Sequence, residues 1–261
     1  MPEGDTIFRA ARTLREWLKD REVTAARTNV ANLPAHKLVG RQVVDVEAKG
    51  KHLLIRFDSG VVLHTHMRMT GSWHVYRAAD AWQKPAHQAR FVLEAGDRLA
   101  VCFNAPVVEL LADRGEQVHP ALTRLGPDVL VEPVDLDEVR RRAATRPPRT
   151  LIGELLLDQQ VVSGIGNIWR CETLFHNKVD PWLPLEDTPP ETLDALVSTA
   201  ARLMRPGITP GGTRTRAHVY GRANRPCPRC RTLIKTAKLG EQARDVYWCP
   251  KCQARVNASL K

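Results

Sequence analysis

No run of apolar residues in this chain approaches the roughly 20 needed to span a bilayer, and its basic start lacks the apolar core of a signal peptide. Membrane-spanning and exported proteins are therefore not expected, and a cytoplasmic location follows by default. There are no internal repeats and no low-complexity tail, which sets aside solenoids and scaffolding tails. No self-complementary heptad or apolar helix stands out, so a monomer is expected. Acid is the charge in short supply: 29 Asp plus Glu face 39 Lys plus Arg, a net charge of +10. Such an excess points to a polyanionic partner, and nucleic acid is the commonest. An anionic membrane surface fits less well, because no helix pairs a basic face with a strong Trp/Phe/Leu face.

The 261 residues suit two domains, or one domain with an appendage. Residues 21–58 read as strands, with Val43–Val46 and His52–Phe57 the named runs and a turn signal at Asp58-Ser59-Gly60, and residues 61–66, 90–94 and 98–103 read as further strands. Short strands at this spacing predict a β-sandwich or flattened barrel. Near residue 130 the texture changes to helices, expected at 136–145, 150–158, 165–176 and 190–204. Residues 206–217 read as a flexible, basic loop.

Cysteine is scarce and unevenly used. Cys102 and Cys171 stand alone in apolar surroundings and read as buried small hydrophobes. The other four form two pairs, Cys227-Pro-Arg-Cys230 and Cys249-Pro-Lys-Cys252, separated by 18 residues. Two-residue gaps let paired thiolates on tight turns reach one tetrahedral ion, with a hairpin between the pairs. The expectation is a zinc ribbon holding one structural zinc, since all four ligands are protein. Lys235, Lys238 and Arg244 on that hairpin suit a phosphate backbone.

The first residues are Met1-Pro2-Glu3-Gly4-Asp5-Thr6. Removal of the initiator methionine is expected next to a residue as small as proline, and would expose a secondary amine with a pKa near ~8. Ile7, Ala11, Leu14 and Leu18 fall at helical spacing. A helix beginning near Asp5 or Thr6 turns its positive end on that amine and disfavours the protonated form. Glu3 is placed to move protons during imine formation. Taken alone, Glu3 and Asp5 also fit plain helix capping.

Leu155-Leu156-Leu157-Asp158-Gln159-Gln160 leads into Val161-Val162-Ser163-Gly164-Ile165-Gly166-Asn167-Ile168-Trp169-Arg170. A helix ends and a Gly-x-Gly turn opens the next one, offering backbone N–H groups and the Asn167 amide to an anion. A glycine-permitted turn capped by Asn167 is the equal alternative. With Pro2-Glu3, this turn and the cysteine module in that order, the chain resembles the Fpg/Nei DNA glycosylases over essentially its whole length.

The resemblance implies an α+β fold. It comprises an N-terminal helix and β-sandwich catalytic domain over 1–132, a helix–two-turns–helix domain over 133–217 and a zinc finger over 218–261. It implies that the partner is damaged DNA, which would associate the protein with the nucleoid, and that the activity is that of a bifunctional glycosylase and abasic-site lyase of base excision repair. Pro2 would form a Schiff base at C1′, Glu3 would protonate the sugar ring oxygen, and β- and δ-elimination would cut the strand. Lys51 matches the family's β-hairpin lysine near the reaction centre. Asn167 and Arg244 match the pair that grips phosphates around the extruded nucleotide, and Met69 matches the residue inserted into the vacated stack.

Two departures bear on substrate. Fpg-type members carry an Arg-Arg-Phe loop that reads the opposite base, and here the region is Cys102-Phe103-Asn104-Ala105-Pro106-Val107-Val108-Glu109. Thr6 stands where both branches usually have glutamate. With the Gly4-Asp5 start, Trp73 and Tyr247-Trp248, the chain looks Nei-like, implying oxidised pyrimidines. An 8-oxoguanine-directed enzyme and a non-catalytic DNA-binding relative are the alternatives. Nine histidines are scattered, and His64 and His66 alternate on one strand. They read as packed or exposed side chains rather than as a second metal site.

Overall fold

The computed structural model describes residues 2–241 and 243–254. The chain divides into two compact units, Met1–Arg124 and Leu125–Lys261.

The first unit opens with α1 (Gly4–Leu18), followed by β1 (Ala25–Thr28), β2 (Val43–Lys49), β3 (His52–Phe57), β4 (Val62–His66), β5 (Ser72–Arg77), β6 (Ala89–Ala95), β7 (Arg98–Phe103) and β8 (Val107–Leu111). Two one-turn helices, α2 (Gly115–Val118) and α3 (Pro120–Thr123), close it. The strands form two antiparallel four-stranded sheets, ordered β1-β6-β7-β5 and β2-β3-β4-β8. The β-sandwich of the two expected forms is therefore the one observed.

The period read in α1 has a direct structural meaning. Ile7, Ala11, Leu14 and Leu18 form its buried stripe and join Val43, Val46, Leu53, Ile55, Leu63, Phe91 and Leu93 in one core. Each fully buried aliphatic side chain contributes on the order of 1.5–3 kcal/mol, so the stripe fixes how α1 lies on the sheets. Because side chains alternate across a strand, the partners of Leu53 and Leu63 in the pleat, His52 and His64, project from the opposite face of the second sheet.

Strands β5 and β8 escape sequence reading, and β1 falls within the strand region expected over 21–58 without a pattern of its own. Ala25-Ala26-Arg27 carries little β propensity. In β5, Ser72–Val75 are all half-buried, which removes the apolar alternation that would reveal a strand.

The second unit contains α4 (Leu136–Ala143), α5 (Ile152–Leu155), α6 (Asn167–Asn177), α7 (Pro190–Met204) and the hairpin β9 (Lys235–Leu239) with β10 (Arg244–Trp248). The helix expected over 150–158 is only one turn long, because the chain turns at Asp158, whose carbonyl accepts from both Val161 and Val162 N–H. The unit also begins earlier than residue 133. Val129 N–H donates to Ser163 O (3.1 Å), Ser163 N–H donates to Pro127 O (2.9 Å), and Val129 and Leu130 lie in the helical core. The cysteine module shares a further core with α6 through Cys171, Phe175, Cys227, Ile234, Leu239, Val246 and Cys249. Cys102 and Cys171 are fully buried, as their surroundings implied. Among the described residues no helix is long and apolar enough to cross a membrane.

Candidate functional site

Pro2 is half-buried and Glu3 entirely buried at the start of α1. Glu3 is the residue before the helix, in extended conformation, and its carbonyl accepts from Thr6 N–H (2.9 Å) and Ile7 N–H (3.0 Å). Its side chain forms no capping hydrogen bond, so simple capping does not account for the buried carboxylate. The positive end of a fifteen-residue helix faces Pro2. Thr6 lies one turn on and lines a cavity of about 430 Å³ with Arg9, Trp73, His74 and Gln83.

Lys51 sits in the two-residue turn between β2 and β3, where Lys49 pairs with His52. Gly50 takes the left-handed conformation (φ 59°) that this turn requires of its first residue. Met69 occupies the β4–β5 connection and is 62 % exposed, whereas its neighbour Met67 is 2 % exposed. Core packing, the ordinary role for a methionine, thus falls to Met67, and Met69 is left projecting. The connection is tight: Gly71 N–H donates to Met67 O (2.9 Å), and a Cβ on Gly71 would lie 2.8 Å from the Met67 backbone. Between β7 and β8 only residues 104–106 remain, with Asn104 left-handed and Ala105 buried. No loop able to carry an Arg-Arg-Phe wedge stands there.

In the second unit, Asn167 and the strand bearing Arg244 are brought together. Asn167 is the first residue of α6, and its Nδ2 donates to the carbonyl of Asp245 (2.9 Å), next to Arg244. Sequence reading missed the residue that locks this junction. Arg170 is completely buried, donates to Asn167 Oδ1 and to Asp245 O (3.0 Å), and lies one turn beyond Asn167. Its position three residues after Asn167 was the available signal. Burial lowers its pKa, yet a guanidinium keeps its charge under such shifts. Arg170 and Arg244 line a cavity of about 370 Å³ with Glu154, Asp158, Gln159 and Gln160. The Gly-x-Gly turn differs from expectation in one respect: the Gly164 N–H is taken by Gln159 Oε1 (3.1 Å). Gln159 also donates to Leu157 O and Ile165 O, so it shapes the turn from within.

The four expected cysteines converge. One sulfur from each of Cys227, Cys230, Cys249 and Cys252 lies within 4.8 Å of the others, with Cys230–Cys249 at 3.4 Å and Cys227–Cys252 at 3.9 Å. Tetrahedral zinc thiolates at about 2.3 Å place sulfurs about 3.8 Å apart, so these residues could hold such an ion. Hydrogen bonds from Thr232 lower the Cys230 thiol from its ordinary value. The segment before the first pair is fixed by Glu172, whose carboxylate accepts the backbone N–H groups of His218, Val219 and Tyr220 at 2.8–2.9 Å. Arg229 binds the last carbonyls of α6, Phe175 O (2.7 Å) and His176 O (3.2 Å).

Comparison with known proteins accounts for this set of parts. The formamidopyrimidine-DNA glycosylase N-terminal domain matches residues 1–106, and the formamidopyrimidine-DNA glycosylase H2TH domain matches residues 125–219. A Streptomyces coelicolor protein named "Probable endonuclease 8 2" is 41% identical, over 97% of this chain and 94% of its own length. The Mycolicibacterium smegmatis protein named "DNA-(apurinic or apyrimidinic site) lyase Nei2" is 37% identical, over 97% of this chain and 99% of its own. Among solved structures, Lactococcus lactis Fpg in complex with abasic-site DNA superposes with a TM-score of 0.83 at 19% identity, over 97% of this chain and all of that one. That last likeness speaks to the fold, whereas the sequence relatives speak to descent. The chain belongs to the formamidopyrimidine-DNA glycosylase family, on its endonuclease VIII-like side.

Proposed function

We propose that this protein is a DNA glycosylase and abasic-site lyase of base excision repair, acting on oxidised pyrimidines. The observation that carries the reading is the pairing of Pro2 with a completely buried Glu3 at the positive end of α1. Freed of Met1, the Pro2 amine is kept neutral by the helix and attacks C1′, the bond from C1′ to the base breaks and the base departs, and Glu3 passes a proton to O4′ as the C1′–O4′ bond opens. Because the amine is secondary, its adduct is an iminium with a fixed positive charge. That charge acidifies the neighbouring sugar proton, whose loss drives β-elimination and then δ-elimination. Lys51, on the β2–β3 turn, contacts the DNA close to this centre.

The remaining parts hold the nucleotide out of the helix. Asn167 and Arg244 grip flanking phosphates, and Arg170 is the buried strut that keeps them in register. Nδ2 of Asn167 carries two hydrogens and spends one on Asp245, leaving the other for a phosphate oxygen. One zinc ion on Cys227, Cys230, Cys249 and Cys252 supports the hairpin that presents Arg244. When bound, it supplies structural cross-linking of the two turns and no open coordination position. The short β7–β8 connection and the endonuclease 8 relatives favour pyrimidine lesions over 8-oxoguanine. A monomer bound to DNA suffices for this chemistry.

Borohydride trapping of the full chain on two duplexes, one with an abasic site and one with an oxidised pyrimidine, tests the reading. An adduct on both is expected. Binding without an adduct on either would make this a non-catalytic relative, and an adduct on the abasic site alone would limit it to lyase chemistry and implicate the Thr6 cavity.

Met69 fills the gap left by the extruded base, so Met69→Ala should slow excision from duplex about 10–100-fold while leaving cleavage of a single-stranded abasic site nearly unchanged. Extrusion from a duplex costs a few kcal/mol that a single strand does not. An equal loss on both substrates would assign Met69 a different role.

A further inference from the structure

The structure gathers four of the nine scattered histidines and a glutamate on the outer face of the β2-β3-β4-β8 sheet. His64 on β4 and Glu109 on β8 are direct cross-strand partners, and His119 immediately precedes α3. Glu109 Oε1 lies 2.7 Å from His64 Nδ1 and 2.9 Å from His119 Nε2. Behind them His52 Nδ1 lies 2.8 Å from His64 Nε2, and the His52 ring packs against that of His66 with centroids 4.6 Å apart. A cavity of about 320 Å³ opens over the group, lined also by Arg68 and Val107. From these positions we infer that the first unit carries a second metal site, formed by His64, Glu109 and His119 and suited to a divalent ion of the zinc class.

Three features argue for an ion rather than for a hydrogen-bonded brace alone. First, one donor atom from each of three separate elements lies within 4.8 Å of the others, and two imidazoles with one carboxylate form a ligand set that zinc-class ions accept. Second, the other nitrogen of His64 already has a partner. With a metal on Nδ1, His64 Nε2–H donates to His52 Nδ1, the outer hydrogen bond that orients a ligating histidine. Third, a brace would need one histidine, whereas two rings set edge to face, His64 and His119, meet the Glu109 carboxylate and two more, His52 and His66, pack behind them.

The geometry leaves room for the ion. Donors bound to zinc at about 2.0–2.1 Å sit about 3.3–3.4 Å apart, slightly wider than the 2.7 and 2.9 Å seen between these atoms. Glu109 is 38 % exposed and can turn to widen them, while His64 is 1 % exposed and fixed. The cavity side supplies a fourth position for water. Such an ion ties β4, β8 and the start of α3 together. One of its ligands, His64, stands on β4, which leads into the connection carrying Met69, and that ligand's hydrogen-bond partner His52 opens β3 next to Lys51.

Elemental analysis of the full chain tests the assignment, after exposure to zinc and removal of unbound metal by gel filtration. Wild type should hold two equivalents and His119→Gln one. Gln retains an N–H donor for Glu109, so a mere brace survives this change and a metal site does not. Cobalt added to protein whose cysteine site is already filled with zinc should give weak d–d absorption in wild type and none in His119→Gln. Glu109→Gln, with circular dichroism to confirm folding, should behave the same way. One equivalent in wild type with no cobalt spectrum would overturn the inference and leave a hydrogen-bonded brace. Two equivalents retained in both variants would equally overturn it.

Discussion

Pro2→Gly should lose the borohydride-trapped adduct and slow strand cleavage at an abasic site by at least ~100-fold, with DNA binding and the circular dichroism spectrum close to wild type. Glycine still presents an amine, so the expected loss comes from what proline adds. Its ring fixes rotation about the N–Cα bond and so aims the nitrogen lone pair, and misaiming a nucleophile by an ångström can cost on the order of 100-fold. A primary amine also yields a neutral imine, which must collect a proton before it withdraws electrons as an iminium does. Glu3→Gln separates the steps. It keeps the buried shape of Glu3 but removes proton transfer, a contribution of about 10²–10⁴, so base removal should fall further than lyase activity on a preformed abasic site. The rate should rise with pH until the amine is neutral, and the helix places that rise below the ~8 of a free terminus. An adduct at wild-type level in Pro2→Gly would transfer the nucleophile's role elsewhere, with Lys51 the first residue to test.

The parts legible in the sequence were those that a local pattern encodes. The stripe of Ile7, Ala11, Leu14 and Leu18 follows the 3.6-residue period, and the structure buries all four. The four cysteines declare their spacing and converge. What stayed hidden depends on register between distant segments. Glu109 meets His64 only because β4 pairs with β8 across 45 residues. Arg170 becomes a strut only because β10, some 75 residues later, presents the Asp245 carbonyl to it. The early start of the second unit has the same origin: Val129 looks like linker until Ser163 folds back to accept its N–H. Met69 was ambiguous for a related reason. Met67 and Met69 are chemically identical, and only the tight turn closed at Gly71 decides which is buried and which projects.

Cys249→Ser should release the zinc of the cysteine site and weaken binding to abasic-site duplex by at least ~100-fold, and strong chelation of wild type should do the same reversibly. The hairpin explains the size of the effect. Two strands of five residues cannot sustain themselves in water, and the core beneath them is small, with two of its fully buried members, Cys227 and Cys249, among the four cysteines that could hold the ion. Losing the ion therefore loosens β9 and β10 rather than trimming one contact, as in small metal-dependent folds. Three bonds then go slack together. Asp245 O leaves Asn167 Nδ2 and Arg170, Tyr247 N–H leaves Cys171 Sγ, and Arg244 loses its fixed place. Arg244→Ala provides the scale: it removes one phosphate contact and should cost less, with the slope of log affinity against log salt falling by about 0.9 in magnitude. In Cys249→Ser the slope should fall by more than that, since Lys235 and Lys238 ride on the same hairpin. The histidine-held ion should survive the change, so metal content should drop by one equivalent and not two. Unaltered zinc content and affinity in Cys249→Ser would show that three thiolates and the packing on α6 suffice, and would move the support of Arg244 from the ion to the core around Phe175.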